Sequence, residues 1–119
     1  MLKLNYKKLL IKKNKIPITC LTAYSKPIAN ILDGKIDLIL IGDSLGTTLY
    51  GMQNTRGVTI EMMKNHGKAV VLNTKFSMTI IDMPYNTYRS KKEALKNAQD
   101  ILTFTKADFV KIETDKKNI

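Results

Sequence analysis

The chain has 119 residues, 44% hydrophobic and 25% charged, with a formal net charge of +10; this is ordinary globular composition for one domain or part of one. No run approaches the roughly 20 apolar residues of a membrane-spanning helix, and the single cysteine, Cys20, excludes an internal disulfide framework. The 20 basic residues, all lysine except Arg56 and Arg89, are dispersed and not clustered with aromatics, so a solvated surface is favoured over a nucleic-acid face; from the lone cysteine the expected location is the reducing cytoplasm, off the membrane.

Lysine is densest between Lys3 and Lys15, where the intervening apolar residues never form the uninterrupted core of a signal peptide. The first β-rich run is Ile16 to Leu21, with Cys20 expected inside it as a small buried hydrophobe. Thr22 stands at its carboxyl end. A short helix is predicted over Pro27 to Leu32, since proline is tolerated in a first turn. The second strand, Asp37 to Ile41, runs into Gly42 and Asp43. The segment from Asp43 to Val58, about 16 residues long with Gly46, Gly51 and Gly57 inside it, exceeds the usual two to six residues of a βα connection, which marks it as a working loop.

Thr59 is the predicted N-cap of a second helix reaching about Val71. His66 lies in the middle of it and is read as a packing or hydrogen-bonding residue; Tyr24, Met62, Met63 and Met78 are read as core or pocket wall. The third strand, Met78 to Ile81, ends at Asp82. The third helix spans about Ser90 to Lys106, with Ser90 and Glu93 spaced as a capping box and Ala94, Ala98, Ile101 and Leu102 on one face. The last strand is Asp108 to Ile112, and strand alternation puts Lys111 and Glu113 on the same side.

Strands alternating with helices predict an α/β fold with a parallel sheet, because parallel neighbours need long crossovers. Thr22, Asp43, Asp82 and Glu113 then sit at the carboxyl ends of successive strands, the face on which α/β proteins gather catalytic groups. Convergent carboxylates without His or Cys suit a hard cation such as Mg²⁺, and Lys111 offers charge for an anion. A metal held this way can bind the keto and carboxylate oxygens of a 2-oxo acid and polarise its carbonyl, which makes carbon–carbon bond chemistry accessible.

The ordered segments Leu21-Thr22-Ala23-Tyr24, Ile39 to Gly46 (ILIGDSLG), Asp82-Met83-Pro84-Tyr85 and Val110 to Glu113 (VKIE) resemble the ketopantoate hydroxymethyltransferase family over nearly the whole chain. The resemblance implies a TIM-type (β/α)₈ barrel, of which residues 1–119 are the N-terminal half, about the first four βα units. A complete barrel of this kind has about 250 residues. It implies transfer of a hydroxymethyl group from 5,10-methylenetetrahydrofolate to 3-methyl-2-oxobutanoate, forming 2-dehydropantoate for pantothenate and coenzyme A synthesis, with Mg²⁺ as metal. Position by position, it makes Asp43, Asp82 and Glu113 metal ligands, and Asp43, Ser44, Asp82 and Lys111 substrate-binding groups. The family's proton-accepting glutamate belongs to the second half of the barrel, so the resemblance assigns no catalytic base among these residues, and the chain is expected to be an incomplete or inactive fragment. Ser25, Gly57 and Thr114-Asp115 depart from the family's usual Asp, Pro and Gly pair, as does the lysine-rich tail.

Two other readings compete. One is a related Mg²⁺-dependent barrel that cleaves or isomerises 2-oxo acids, against which the pairing of GDSLG with VKIE argues. The other is a non-catalytic basic interaction remnant, which would bind nucleic acid with steep salt dependence. Expected partners are the oxo acid, folate and further copies of the chain in a homo-oligomer, because an open half-barrel exposes sheet edges.

Overall fold

The computed structural model describes residues 1–114. Its centre is a four-stranded sheet in the order β1-β2-β3-β4, with β1 Cys20–Thr22, β2 Leu38–Ile41, β3 Met78–Asp82 and β4 Phe109–Lys111. All three pairings are parallel. Each strand neighbours the next in sequence with no reversal of order, as successive units of a (β/α)₈ barrel do; doubly wound sheets instead reverse at a switch point. The fold class is therefore the α/β class expected from the alternation.

Helices α2 (Lys26–Leu32), α4 (Ile60–Val71) and α5 (Lys91–Thr105) provide the crossovers. Thr59 caps α4 by accepting the Met62 N–H at 3.2 Å. Gly67 of α4 is fixed by packing: a Cβ there would lie 2.6 Å from Ile81 Cδ1 and 3.2 Å from Thr105 Cγ2, so only glycine lets α4 sit this close to β3 and α5. The core gathers Ile39, Ile41, Met63, Val70, Ile81 and Ile101, each fully buried.

Three expectations need correction, and one element was not anticipated. The first strand begins at Cys20, not Ile16; residues 16–18 lie ahead of the start of β2 and pair with no strand among the described residues. Cys20 is exposed, because β1 is the outer strand. The lysine-rich start contains a helix, α1 (Tyr6–Lys12), that buries none of its residues and is capped by the Asn5 side chain. The capping box is half formed: Ser90 Oγ accepts the Glu93 N–H at 3.1 Å, but Glu93 takes the Arg89 N–H and guanidinium instead of closing back on Ser90.

The long loop after β2 also has structure of its own, a short helix α3 (Leu45–Leu49) and a 3-10 turn over Thr55–Gly57. The replaced glycine pair is covered only at Thr114; Asp115 and the lysine-rich tail lie outside the described residues.

Candidate functional site at the strand carboxyl ends

Asp82 is the last residue of β3, Lys111 the last of β4, and Asp43 with Ser44 follows β2 after Gly42. The sheet register pairs Asp82 directly with Lys111. The Lys111 ammonium donates to Asp82 Oδ1 at 2.7 Å and to Glu113 Oε1 at 2.8 Å. The second oxygen of Asp82 accepts the backbone N–H of Asp43 at 3.1 Å. Asp82 thus joins three adjacent strand ends, and the residue is buried, with only 6% exposure.

This closeness depends on Gly42. A Cβ at that position would meet Ser44 Oγ at 3.0 Å and Asp82 Oδ2 at 3.4 Å, so a side chain would push apart the groups that the strand ends bring together. Ser44 Oγ also lies 2.6 Å from the Tyr24 hydroxyl. Tyr24, read from the sequence as core or pocket wall, does pack against the core, but its polar end reaches the site. His66 hydrogen-bonds to the Tyr24 carbonyl oxygen at 2.7 Å and to the Tyr50 hydroxyl at 2.9 Å, in keeping with the hydrogen-bonding role expected of it. Thr22 ends β1 on the exposed outer edge of the sheet.

The electrostatics single out Asp43. Burial pushes its carboxyl above the ordinary value; the negative charge of Asp82 adds to this, and that of Glu113 more weakly, while a hydrogen bond from Thr55 and the charge of Lys111 offset them in part. Burial alone would lower the Lys111 ammonium, but its hydrogen bonds to Asp82 and Glu113 win and raise it. The Glu113 carboxyl is lowered by the same contact. Cys20 is within electrostatic reach as well: partial burial and then the charge of Asp82 hold its thiol above the ordinary value.

The donor set is oxygen-rich and carries more negative charge than the single ammonium of Lys111 balances, which suits a hard cation. Among the described residues, no three His, Cys, Asp or Glu side chains are grouped as a ready metal cage; Lys111 stands between Asp82 and Glu113. Asp43 and Asp82 fit the looser kind of Mg²⁺ site, in which one or two carboxylates are completed by water and substrate oxygens.

Residues 3–119 match the family model described as ketopantoate hydroxymethyltransferase. Over 108 residues the chain is 53% identical to the 3-methyl-2-oxobutanoate hydroxymethyltransferase of Pelagibacter ubique, covering 91% of this chain and 42% of that protein. It is 51% identical over 98 residues to the protein of the same name from Rhizobium etli, covering 82% of this chain and 36% of the relative. For Rhodospirillum rubrum the figures are 48% over 98 residues, 82% and 35%. The chain therefore spans well under half the length of these curated relatives.

Proposed function

The chain belongs to the ketopantoate hydroxymethyltransferase family, and from that premise we propose that its strand-end cluster is the oxo-acid and metal side of a site for hydroxymethyl transfer from 5,10-methylenetetrahydrofolate to 3-methyl-2-oxobutanoate. The observation that carries this reading is the junction of Asp43, Asp82, Lys111 and Glu113 across three adjacent strand ends. Asp43 and Asp82 would hold Mg²⁺, with Glu113 beside them. Bound there, the metal supplies a Lewis acid for the keto oxygen, favouring loss of the neighbouring C–H proton.

The remaining work falls to the chain's own groups. Lys111 keeps its proton well above neutral pH and offers a fixed positive charge to the anionic acid. Ser44 contributes a hydroxyl at the N-terminal side of α3. These residues are proposed to bind and orient the oxo acid; none of them is assigned as the proton acceptor. Apolar residues exposed beside the outer strand, Leu21 at 52%, Ile28 at 43% and Ile31 at 57%, together with the outer edges of β1 and β4, which no strand among the described residues covers, support pairing with further chain, and self-association in solution is proposed on that ground.

Calorimetry tests the reading. The chain should bind 3-methyl-2-oxobutanoate in the presence of Mg²⁺, and Asp82→Asn should abolish the Mg²⁺-dependent part; equal affinity in the variant would defeat the assignment.

A further inference from the structure

Tyr24 and His66 form a chain of hydrogen bonds behind Ser44, and its directions can be worked out. A carbonyl oxygen only accepts, so the 2.7 Å contact between His66 Nδ1 and the Tyr24 carbonyl puts the proton on Nδ1. In the neutral ring Nε2 is then an acceptor, and the Tyr50 hydroxyl donates to it across 2.9 Å. His66 on α4 thereby fastens the backbone of Tyr24, in the connection after β1, against the neighbouring βα unit.

At the other end, the Tyr24 and Ser44 hydroxyls share one hydrogen bond of 2.6 Å, and either could donate. With Ser44 as donor, its proton is consumed inside the protein and only lone pairs face the site. With Tyr24 as donor, Ser44 keeps its proton for a ligand. A carboxylate ligand accepts and cannot donate, so only the second arrangement lets Ser44 hold one. We infer that Tyr24 is a positioning residue that turns the Ser44 hydroxyl proton outward toward the carboxylate of the bound acid, and that His66 holds Tyr24 in place for it. The inference rests on the oxo-acid reading of the site.

The test is a double-mutant cycle on the 119-residue chain, read as calorimetric affinity for 3-methyl-2-oxobutanoate with Mg²⁺ present. Tyr24→Phe removes one oxygen and should weaken binding about five-fold, the weight of one net hydrogen bond. In a Ser44→Ala background the same change should cost nothing further, an outcome that a merely structural role for Tyr24 does not produce. His66→Asn, whose amide nitrogen can replace Nδ1 as donor, should keep more affinity than His66→Leu. Wild-type affinity in Tyr24→Phe, or losses that multiply in the double variant, would overturn the role while leaving the oxo-acid reading intact. Absence of binding by the unmutated chain would remove the reading itself, and the role with it.

Discussion

Asp37, at the amino end of the sheet, and Asp43, at its carboxyl end, stand in opposite surroundings, although Asp82 beside Asp43 is donor-bonded like the aspartates of the amino end. At the amino ends, Asp37 accepts the Thr19 N–H and hydroxyl on one oxygen and the Lys12 ammonium on the other. Asp108 repeats the arrangement one pair of strands away, with Thr79 and Lys3, and Asp33 takes three backbone N–H groups from residues 75–77. Burial pushes the Asp33 and Asp37 carboxyls up, but these hydrogen bonds outweigh it and hold both below the ordinary value. At the carboxyl ends, Asp43 is held above it by burial and by the charge of Asp82. Carboxylates saturated with donors serve stability; one kept crowded by like charge costs stability and marks a place built to receive something.

The largest expected effect lies at the amino end. Asp37→Ala removes the buried acceptor that the Thr19 and Lys12 donors share and should cost about 2 kcal/mol, measured by urea unfolding; a loss no greater than that of an average surface change would remove the distinction between the ends. Acid should act on the same braces. Because Asp33 and Asp37 titrate below the unfolded value of about 3.9, their contribution is fully present above that pH and is lost as pH falls through their lower folded values. Circular dichroism should show a shallower acid limb for Asp37→Ala than for the unmutated chain; identical limbs would contradict the assignment.

A moderate effect is expected at the carboxyl end from Gly42→Ala, whose Cβ would crowd Ser44 and Asp82. It should cost about 1 kcal/mol of stability yet lower oxo-acid affinity at least as much as Ser44→Ala does. The smallest belongs to Lys3→Ala: its ion pair with Asp108 leaves the lysine side chain 47% exposed, and solvent screening limits the change to about 0.5 kcal/mol.

Much of this was legible in the sequence because the signals were local. Strands β2, β3 and β4 fall within one residue of the runs at 37–41, 78–81 and 108–112, since apolar β-rich segments between turn residues declare themselves. The carboxylates at their ends follow from position alone. What escaped depends on tertiary partners. Helix α1 has no buried stripe and is tied down by Lys12 to Asp37 and by the Leu4 N–H to the Phe76 carbonyl, contacts that no periodicity shows. The start of β1 is set by where β2 begins. The reach of Tyr24 to Ser44 spans two βα units, and nothing in Thr-Ala-Tyr announces a hydrogen-bond partner for a serine 20 residues on. The Asp33, Asp37 and Asp108 braces likewise join residues far apart in sequence, so turn aspartates and structural clamps look alike until folded.

The decisive comparison sets Asp43→Asn against Asp37→Asn in thermal melts at neutral pH with chelator present. A raised carboxyl such as Asp43 stabilises the fold only in its protonated form, below the ordinary value, and that contribution is lost as pH rises through the folded value; near pH 7 its charge is a cost, and neutral asparagine removes it. Asp43→Asn should therefore melt at the same temperature as the unmutated chain or higher, while Asp37→Asn melts several degrees lower. If Asp43→Asn falls as far as Asp37→Asn, the carboxyl end is held together by its charges like the amino end, and the case for a site kept ready for a cation and an anionic substrate is lost.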